Sequence, residues 1–361
     1  MNATRILRRP RVLIVGCGDV GLRCAKRLLA RAAPPRVIAL TTRPERAAQL
    51  RAQGLTPMVG DLDAPRSLRR LAGLAQTVLH LAPPPSHGTD DPRTQALIAA
   101  LTTRKRYRAA RFAASATGRL RTGGSTTLHG PALRRFAPGL EPSRSGRIVT
   151  EGLPGAAAPF QVRLVYASTT GVYGDCAGAL IDETRPVRPA NARAKRRVAA
   201  ERRLRRANAR ASAAASIVRI PGIYARERLP LARIEQRKPA LIEEDDVYTN
   251  HIHADDLAAI MLRAVVRGRR GRVVHASDDT VLKMGAYFDR VADAFGLPRV
   301  PRITRAAAEQ TLDSAALSFM RESRRLSNAR LTRELGIALR YRTVDDFLHD
   351  IERAEPDAGS I

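Results

Sequence analysis

Residues 11–29 read RVLIVGCGDVGLRCAKRLL. A short apolar run, Val12 to Val15, leads into Gly16, Gly18 and Gly21, and then into apolar residues spaced by three and four, namely Leu22, Ala25, Leu28 and Leu29. That pattern predicts a buried strand, a tight turn and an amphipathic helix. In the spacing G-x-G-x-x-G each glycine has its own reason: Gly16 permits the turn, Gly18 lets the main chain approach a pyrophosphate, and Gly21 lets helix and strand pack closely. The helix N-terminus then faces the phosphates. Asp19 and Val20 fall inside the same turn and join the three glycines as candidate cofactor-binding residues.

Outward from this stretch, β-branched runs recur at Val37 to Thr41, Pro57 to Val59, Thr77 to Leu81, Val162 to Ala167, Ile217 to Ile220 and Val273 to Ala276, with helical spacing between most of them. Such alternation predicts an α/β protein, a Rossmann-type doubly wound parallel sheet. We read residues 10–235 as the dinucleotide-binding domain and 236–350 mainly as a smaller C-terminal substrate lobe that returns a strand and a helix to the first domain. Residues 351–361 form a tail. The stretch 102–159 breaks the rhythm: it is rich in Arg, Gly, Ser and Pro, with Glu141 its only acid before Glu151, and reads as a basic, disordered insertion.

The second strand ends Ala39, Leu40, Thr41, Thr42, Arg43. The hydroxyl of Thr42 and the guanidinium of Arg43 suit a 2′-phosphate, which favours NADP with NAD as the alternative. After the third strand, Asp61 and Leu62 stand at the strand edge, where the carboxylate would reach an adenine amino group or cap the next helix. Leu81, Ala82 and Pro83 complete the candidate cofactor set.

Composition narrows the function. With 44% hydrophobic residues in 361 the chain can fill a core, and with no Trp and 4% aromatics that core must be built from small aliphatic layers. A net charge of +29 attracts phosphate-bearing ligands and acidic surfaces. The basic runs lack the interleaved aromatics of a single-strand platform, so a small-molecule partner is preferred to nucleic acid. Cys17, Cys24 and Cys176 are odd in number and form no C-x-x-C pair, which predicts a reduced cytoplasmic protein without a disulfide framework or metal site. No apolar stretch approaches the roughly 20 residues of a membrane helix.

Several motifs in order, VLIVGCGDVG, GDLD at 60–63, HLAPP at 80–84, YASTTGVYGD at 166–175, RIPGIY at 219–224, NHIHADDLA at 250–258 and SNARLTRELG at 327–336, make the chain resemble the extended and atypical short-chain dehydrogenase/reductases, the NAD-dependent epimerase/dehydratase group. The resemblance implies a nicotinamide enzyme acting on a small or nucleotide-linked carbonyl or alcohol, as a monomer or homodimer. It places the substrate-binding hydroxyl of the fifth strand at Thr169, and Pro221, Gly222 and Tyr224 along the cleft. Ser323, Arg324, Arg325, Ser327 and Asn328 fall where relatives complete the pocket. Asp255 or Asp256 is expected to cap the following helix, and His251 and His253 to hydrogen-bond between lobe and sheet without a metal.

The family's remaining pair is Tyr-x-x-x-Lys on the next helix, where the lysine lowers the pKa of the phenol that moves the proton. Here residues 189–201 read PANARAKRRVAAE. Aligned on Glu201, Arg193 takes the tyrosine's place and Arg197 the lysine's; aligned on Lys195, Asn191 takes the tyrosine's. Neither register holds a phenol, and an arginine has no usable acid–base equilibrium near neutrality. Three readings follow: Tyr173, another phenol, the substrate or water supplies the proton; Arg193 or Arg197 grips a phosphate or carboxylate of substrate or cofactor in a protein that binds NADP without turnover; or the arginine run is a solvated face.

Overall fold

The structure is a computed structural model, and it describes residues 9–103, 162–313, 317–318 and 320–354. Apart from Thr102 and Thr103, the stretch read as an insertion lies outside the described residues, as does most of the tail. The chain divides into two units, residues 104–160 and the rest, and every described element belongs to the latter.

Seven parallel strands form the central sheet: β1 (Arg11–Val15), β2 (Arg36–Thr41), β3 (Thr56–Val59), β4 (Thr77–His80), β5 (Val162–Thr169), β6 (Ala213–Ile220) and β7 (Val273–His275). Their spatial order is β7-β6-β5-β4-β1-β2-β3. From β1 the chain winds outward through β2 and β3 and then returns to β4 on the other side of β1, which opens a crevice at the reversal. The register pairs Val15 with Leu40 and with His80, and Thr169 with Ile220, so the strands end along one edge.

Seven of the helices among the described residues complete the frame: α1 (Asp19–Leu29), α2 (Arg46–Ala52), α3 (92–103), α4 (Ala192–Ala209), α5 (Ala254–Arg267), α6 (Met284–Ala294) and α7 (Val344–Ala354). One face of the sheet packs α1 and α5 through Cys24, Ala25, Leu28, Leu257, Ile260 and Met261. The other packs α3 and α4 through Leu97, Leu101, Ala200 and Leu204. Both faces are therefore dry, which is why the strand sequences are continuously apolar and do not alternate.

The seven runs seen in the sequence are the seven strands. β6 begins earlier than its β-branched core suggested, because Ala213 to Ala215 lie in register with Val162 to Leu164 and complete the ladder despite a weak strand preference. A separate core of Tyr224, Tyr287, Phe288, Val291, Tyr341, Val344, Phe347 and Ile351 lies beside α6 and α7, and its five aromatics depart from the small aliphatic layers expected from composition, several of the chain's few rings being gathered in one place. Short parallel pairs join lobe to sheet: His251–His253 with Gly222–Tyr224, and Arg325–Leu326 with Leu180–Ile181.

Candidate functional site

The glycines after β1 separate by role. Gly16 has φ +87°, and a β-carbon there would lie 2.4 Å from the Ala82 nitrogen, so only glycine lets this turn pass the end of β4. A β-carbon on Gly21 would lie 3.1 Å from the Gly16 oxygen and 3.3 Å from an Ile14 methyl, the close approach of helix to strand. A β-carbon built on Gly18 would meet nothing within 4 Å, so the space beside this residue is free for a ligand, although its amide donates to the Gly16 carbonyl at 2.9 Å. Gly18 also caps α1 without a side-chain bond, so the first turn of the helix is presented bare.

Asp19 is differently placed from its sequence reading. Its carboxylate accepts from Arg23 at 2.7 Å and from Arg228 at 2.9 Å, and Arg23 also bonds Asp255 at 2.8 Å and Glu227. The side chain thus joins α1 to α5 and the lobe, and what residue 19 can offer a diphosphate is its main chain. Val20 is half-buried against the α1 face of the core. Thr42 and Arg43 are exposed after β2, with Thr41 Oγ1 accepting the Arg43 amide at 3.1 Å. A second arginine, missed in the sequence, reaches the turn itself: Arg46, opening α2, donates to the Cys17 carbonyl at 3.3 Å.

After β3, Asp61 Oδ1 accepts the Asp63 amide at 2.9 Å in a small turn, and Leu62 is buried. Arg93 on α3 bonds Asp63 at 2.7 and 2.5 Å and the Pro83 carbonyl at 3.1 Å, tying this loop to Leu81, Ala82 and Pro83. His80, just before them, is buried, and its Nε2–H donates to Thr94 Oγ1 at 2.9 Å while Thr94 donates to Asp91 at 2.6 Å. Burial, with Arg197 nearby, pushes its pKa down to about 3.

At β5, Thr169 ends the strand, caps the following turn by accepting the Gly171 amide at 3.3 Å, and lines a cavity of about 680 Å³. Asn191 and Arg193 from the start of α4, Pro221 and Gly222 after β6, Arg233 from the short helix Leu231–Glu235, and Tyr287, Phe288, Glu322 and Arg324 from further along the chain share that lining. Both positions that the tyrosine would take, Asn191 and Arg193, therefore do face the cavity. Asn191 caps α4, its side-chain oxygen accepting the Ala194 amide at 2.9 Å, while its amide group donates to Glu322 at 3.3 Å. Glu322 also accepts from Arg324 at 2.9 Å. Sequence reading missed Glu322 and Arg233, which stand in no motif.

Two of the catalytic candidates point elsewhere. Tyr173 is 1% exposed and does not line the cavity; its hydroxyl accepts from Arg219 at 2.7 Å and donates to His275 Nε2 at 2.5 Å. His275 Nδ1–H then donates to the Ser327 carbonyl at 2.9 Å, which sets the tautomer. Arg219 forks onto Glu201 at 3.0 and 2.7 Å, and Ser168 donates to Glu201 at 2.7 Å. Burial pushes the Tyr173 phenol up to about 12 despite Arg219. Tyr173 is thus a strut of a dry network between β5, α4 and β7. Arg197, which takes the lysine's place only in the Glu201 register, donates to the Ala167 carbonyl at 2.7 Å and the Tyr166 hydroxyl at 3.1 Å, outside the cavity lining.

Further corrections concern the lobe. Tyr224 is buried against His253 and Phe347 and leaves the cleft to Pro221 and Gly222. The cap of α5 is His253, whose Nδ1 accepts the Asp255 amide at 3.3 Å; Asp256 instead receives the Arg340 and Tyr341 amides at 2.9 and 3.0 Å. His251 stacks on Tyr287 with 4.2 Å between ring centres. No group of three metal-ligating side chains occurs among the described residues. Of the lobe residues considered for the pocket, Arg324 lines it, whereas Asn328 bonds the Ser277 carbonyl and Arg325 the Gly178 carbonyl. No helix among the described residues is long and apolar enough to cross a membrane.

With this geometry in hand, the chain was compared with known proteins. The profile of the NAD dependent epimerase/dehydratase family matches residues 12–276. No curated protein sequence matches the chain. Among solved structures, a functionally unknown conserved protein from Silicibacter pomeroyi is 24% identical, covering 96% of this chain and 99% of its own, with TM-score 0.65. A dTDP-glucose 4,6-dehydratase from Streptomyces venezuelae, solved with NAD and TYD bound, is 19% identical over 95% of this chain and 96% of its own, with TM-score 0.63. A nucleoside-diphosphate-sugar epimerase from Pseudomonas aeruginosa is 16% identical over 94% and 95%, with TM-score 0.64.

Proposed function

The chain belongs to the NAD-dependent epimerase/dehydratase family, and from that premise we propose that it is an NADP(H)-dependent oxidoreductase or epimerase/dehydratase-like enzyme for a small or nucleotide-linked alcohol or carbonyl. One juxtaposition carries this reading: the glycine turn after β1 and Thr169 after β5 leave the same sheet edge, with only β4 between, and Thr169 opens onto the cavity.

The free space beside Gly18 and the bare first turn of α1 suit a diphosphate, with Leu81, Ala82 and Pro83 alongside. Thr42, Arg43 and Arg46 form the basic end that would take a 2′-phosphate, and Asp61 lies by the adenine. A nicotinamide, when bound, supplies hydride acceptance or donation. The Thr169 hydroxyl then holds the substrate oxygen and so fixes which carbon reacts. The usual phenol is missing from α4, so the proton passes to another group of the cavity wall, where Tyr248, Tyr287 and Glu322 are available. That same gap favours a second reading, a cofactor-binding sensor or scaffold without turnover.

Calorimetric titration with NADPH and NADH tests the cofactor. NADPH should bind the more tightly, and R43A and R46A should each weaken it by about tenfold while leaving NADH nearly unchanged, as expected for one charge-assisted contact. Absence of heat with either nucleotide in folded protein overturns the reading. A screen of carbonyls and sugar nucleotides then separates the two alternatives. An enzyme should lose turnover in T169V, by about a hundredfold, whereas a sensor should turn over nothing and still bind NADPH.

A further inference from the structure

We propose that the α4 end of the cavity is an oxyanion site, in which Arg193 grips a carboxylate or phosphoryl group of the ligand beside the Thr169 hydroxyl. The inference deepens the reading of this cavity as the substrate's cleft and rests on it. Arg193 takes the tyrosine's place in the Glu201 register and lines the cavity. Among the described residues its guanidinium makes no hydrogen bond or ion pair, in contrast to Arg196 on the Gly88 carbonyl, Arg197 on the Ala167 carbonyl and Arg203 on Asp90.

The charges around it favour an anion. Arg193 stands exposed at the cavity wall, where partial loss of water, then Arg197 and Arg196, hold its pKa below its ordinary value, and the single opposing group is Glu322. Glu322 is already engaged by Asn191 and by Arg324, whose side chains fix it to the wall. The described lining thus carries three guanidinium groups, Arg193, Arg233 and Arg324, against one carboxylate. Arg193 also lies in the first turn of a helix of 18 residues, whose dipole adds to its field. A β-carbon built on Gly171 would lie 3.7 Å from Thr169 Oγ1 and 3.9 Å from Glu322 Oε2, so the space over this glycine is shared by the hydroxyl and the charged cluster. A phenol here would exchange a proton; a guanidinium cannot, and its planar fork binds oxyanions in two-pronged fashion.

Malonate and inorganic phosphate, titrated calorimetrically into the full chain at about 0.15 M salt, where charges are screened beyond about 8 Å, provide the test, run with and without saturating NADPH. At least one of the two anions should bind, and the tighter one tells whether the group is a carboxylate or a phosphoryl. R193A should weaken it at least tenfold, R193K should recover part of the loss, and R206A, an equal loss of charge on the exposed far end of α4, should change nothing. Binding of neither anion, unchanged affinity in R193A, or an equal loss in R206A overturns the site, the last by assigning the effect to the general positive field. NADPH titrated alone judges the cofactor reading separately, because selective loss of anion binding in R193A is readable in protein that binds no nucleotide.

Discussion

Two turns leave the same edge of one sheet, and they have kept different things. After β1, two glycines of the motif answer to a particular neighbour, Gly16 to the Ala82 main chain and Gly21 to Gly16 and Ile14, while a side chain on Gly18 would enter open space. After β5, the frame is complete and residue 193 on the cavity wall is an arginine. Glu201 holds Arg219, and Arg219 holds Tyr173, so α4 is locked to β5 and β6 by contacts in which residue 193 takes no part. Backbone geometry admits one residue type at a place such as Gly16, whereas a group whose duty is chemical can be replaced without disturbing the fold.

The sharpest way to break this contrast is within the first turn. Gly16→Val puts a β-carbon 2.4 Å from the Ala82 nitrogen in a backbone with φ +87°, and should cost about 4 kcal/mol or more, enough to unfold the chain or shift its urea midpoint grossly. Gly18→Ala meets nothing within 4 Å and sits in an extended conformation, so its stability should fall by less than about 1 kcal/mol. Its NADPH affinity should nonetheless fall at least about tenfold, because the methyl stands where the diphosphate must come. Equal stability losses in the two variants would erase the distinction between a packing glycine and a ligand glycine.

At the second turn the corresponding test removes the lock. Glu201 is 3% and Arg219 2% exposed, and Glu201→Gln leaves a buried guanidinium without its counter-charge, which should cost about 3 to 5 kcal/mol in denaturant unfolding. Replacing both, E201Q with R219M, should recover part of that loss, because the desolvated charge is then gone. Should E201Q unfold like the native chain, the network would not be what holds α4, and the tolerance of residue 193 would need another cause.

What was readable in advance follows the same division. The strands, the glycine turn and the hydroxyl of Thr169 were legible because each is local: a run, a spacing, a strand end. Arg46 was not, since its contact with Cys17 joins α2 to the turn after β1 across 29 positions, and nothing local marks a surface arginine that folds back. Glu322 and Arg233 belong to the cavity only through the placement of the lobe. Tyr173 was misjudged for the opposite reason: the V-Y-G motif is local and recognisable, but the direction of its phenol is set by Arg219 and His275, from strands remote in sequence. Asp255 and Asp256 read as caps by position, and lost that duty to His253 because Arg23 and the Arg340–Tyr341 amides claimed their carboxylates.

The weakest lever acts through the buried histidines, and its sign is fixed by their neutrality. Burial, with Arg219 and Arg330, pushes His275 down to about 4; burial alone pushes His251 to about 4, and burial with Arg197 pushes His80 to about 3. All three lie below the ordinary value near 6.5. As pH falls below that value the unfolded chain takes up protons that the folded chain refuses, so this stability is present at neutrality and lost on acidification. Each histidine contributes at most about 1.4 kcal/mol per pH unit. Asp278, pushed up to about 7 by burial, acts in the opposite sense, since the folded chain takes its proton first, and it offsets one of the three. Urea midpoints measured between about pH 7 and pH 5 should therefore decline. In His275→Gln the decline should be shallower by one histidine's share, even if the variant is less stable throughout because Tyr173 loses its acceptor. An unchanged slope would mean that His275 takes up its proton in the folded chain, and the dry network behind α4 would be wetter than its hydrogen bonds imply.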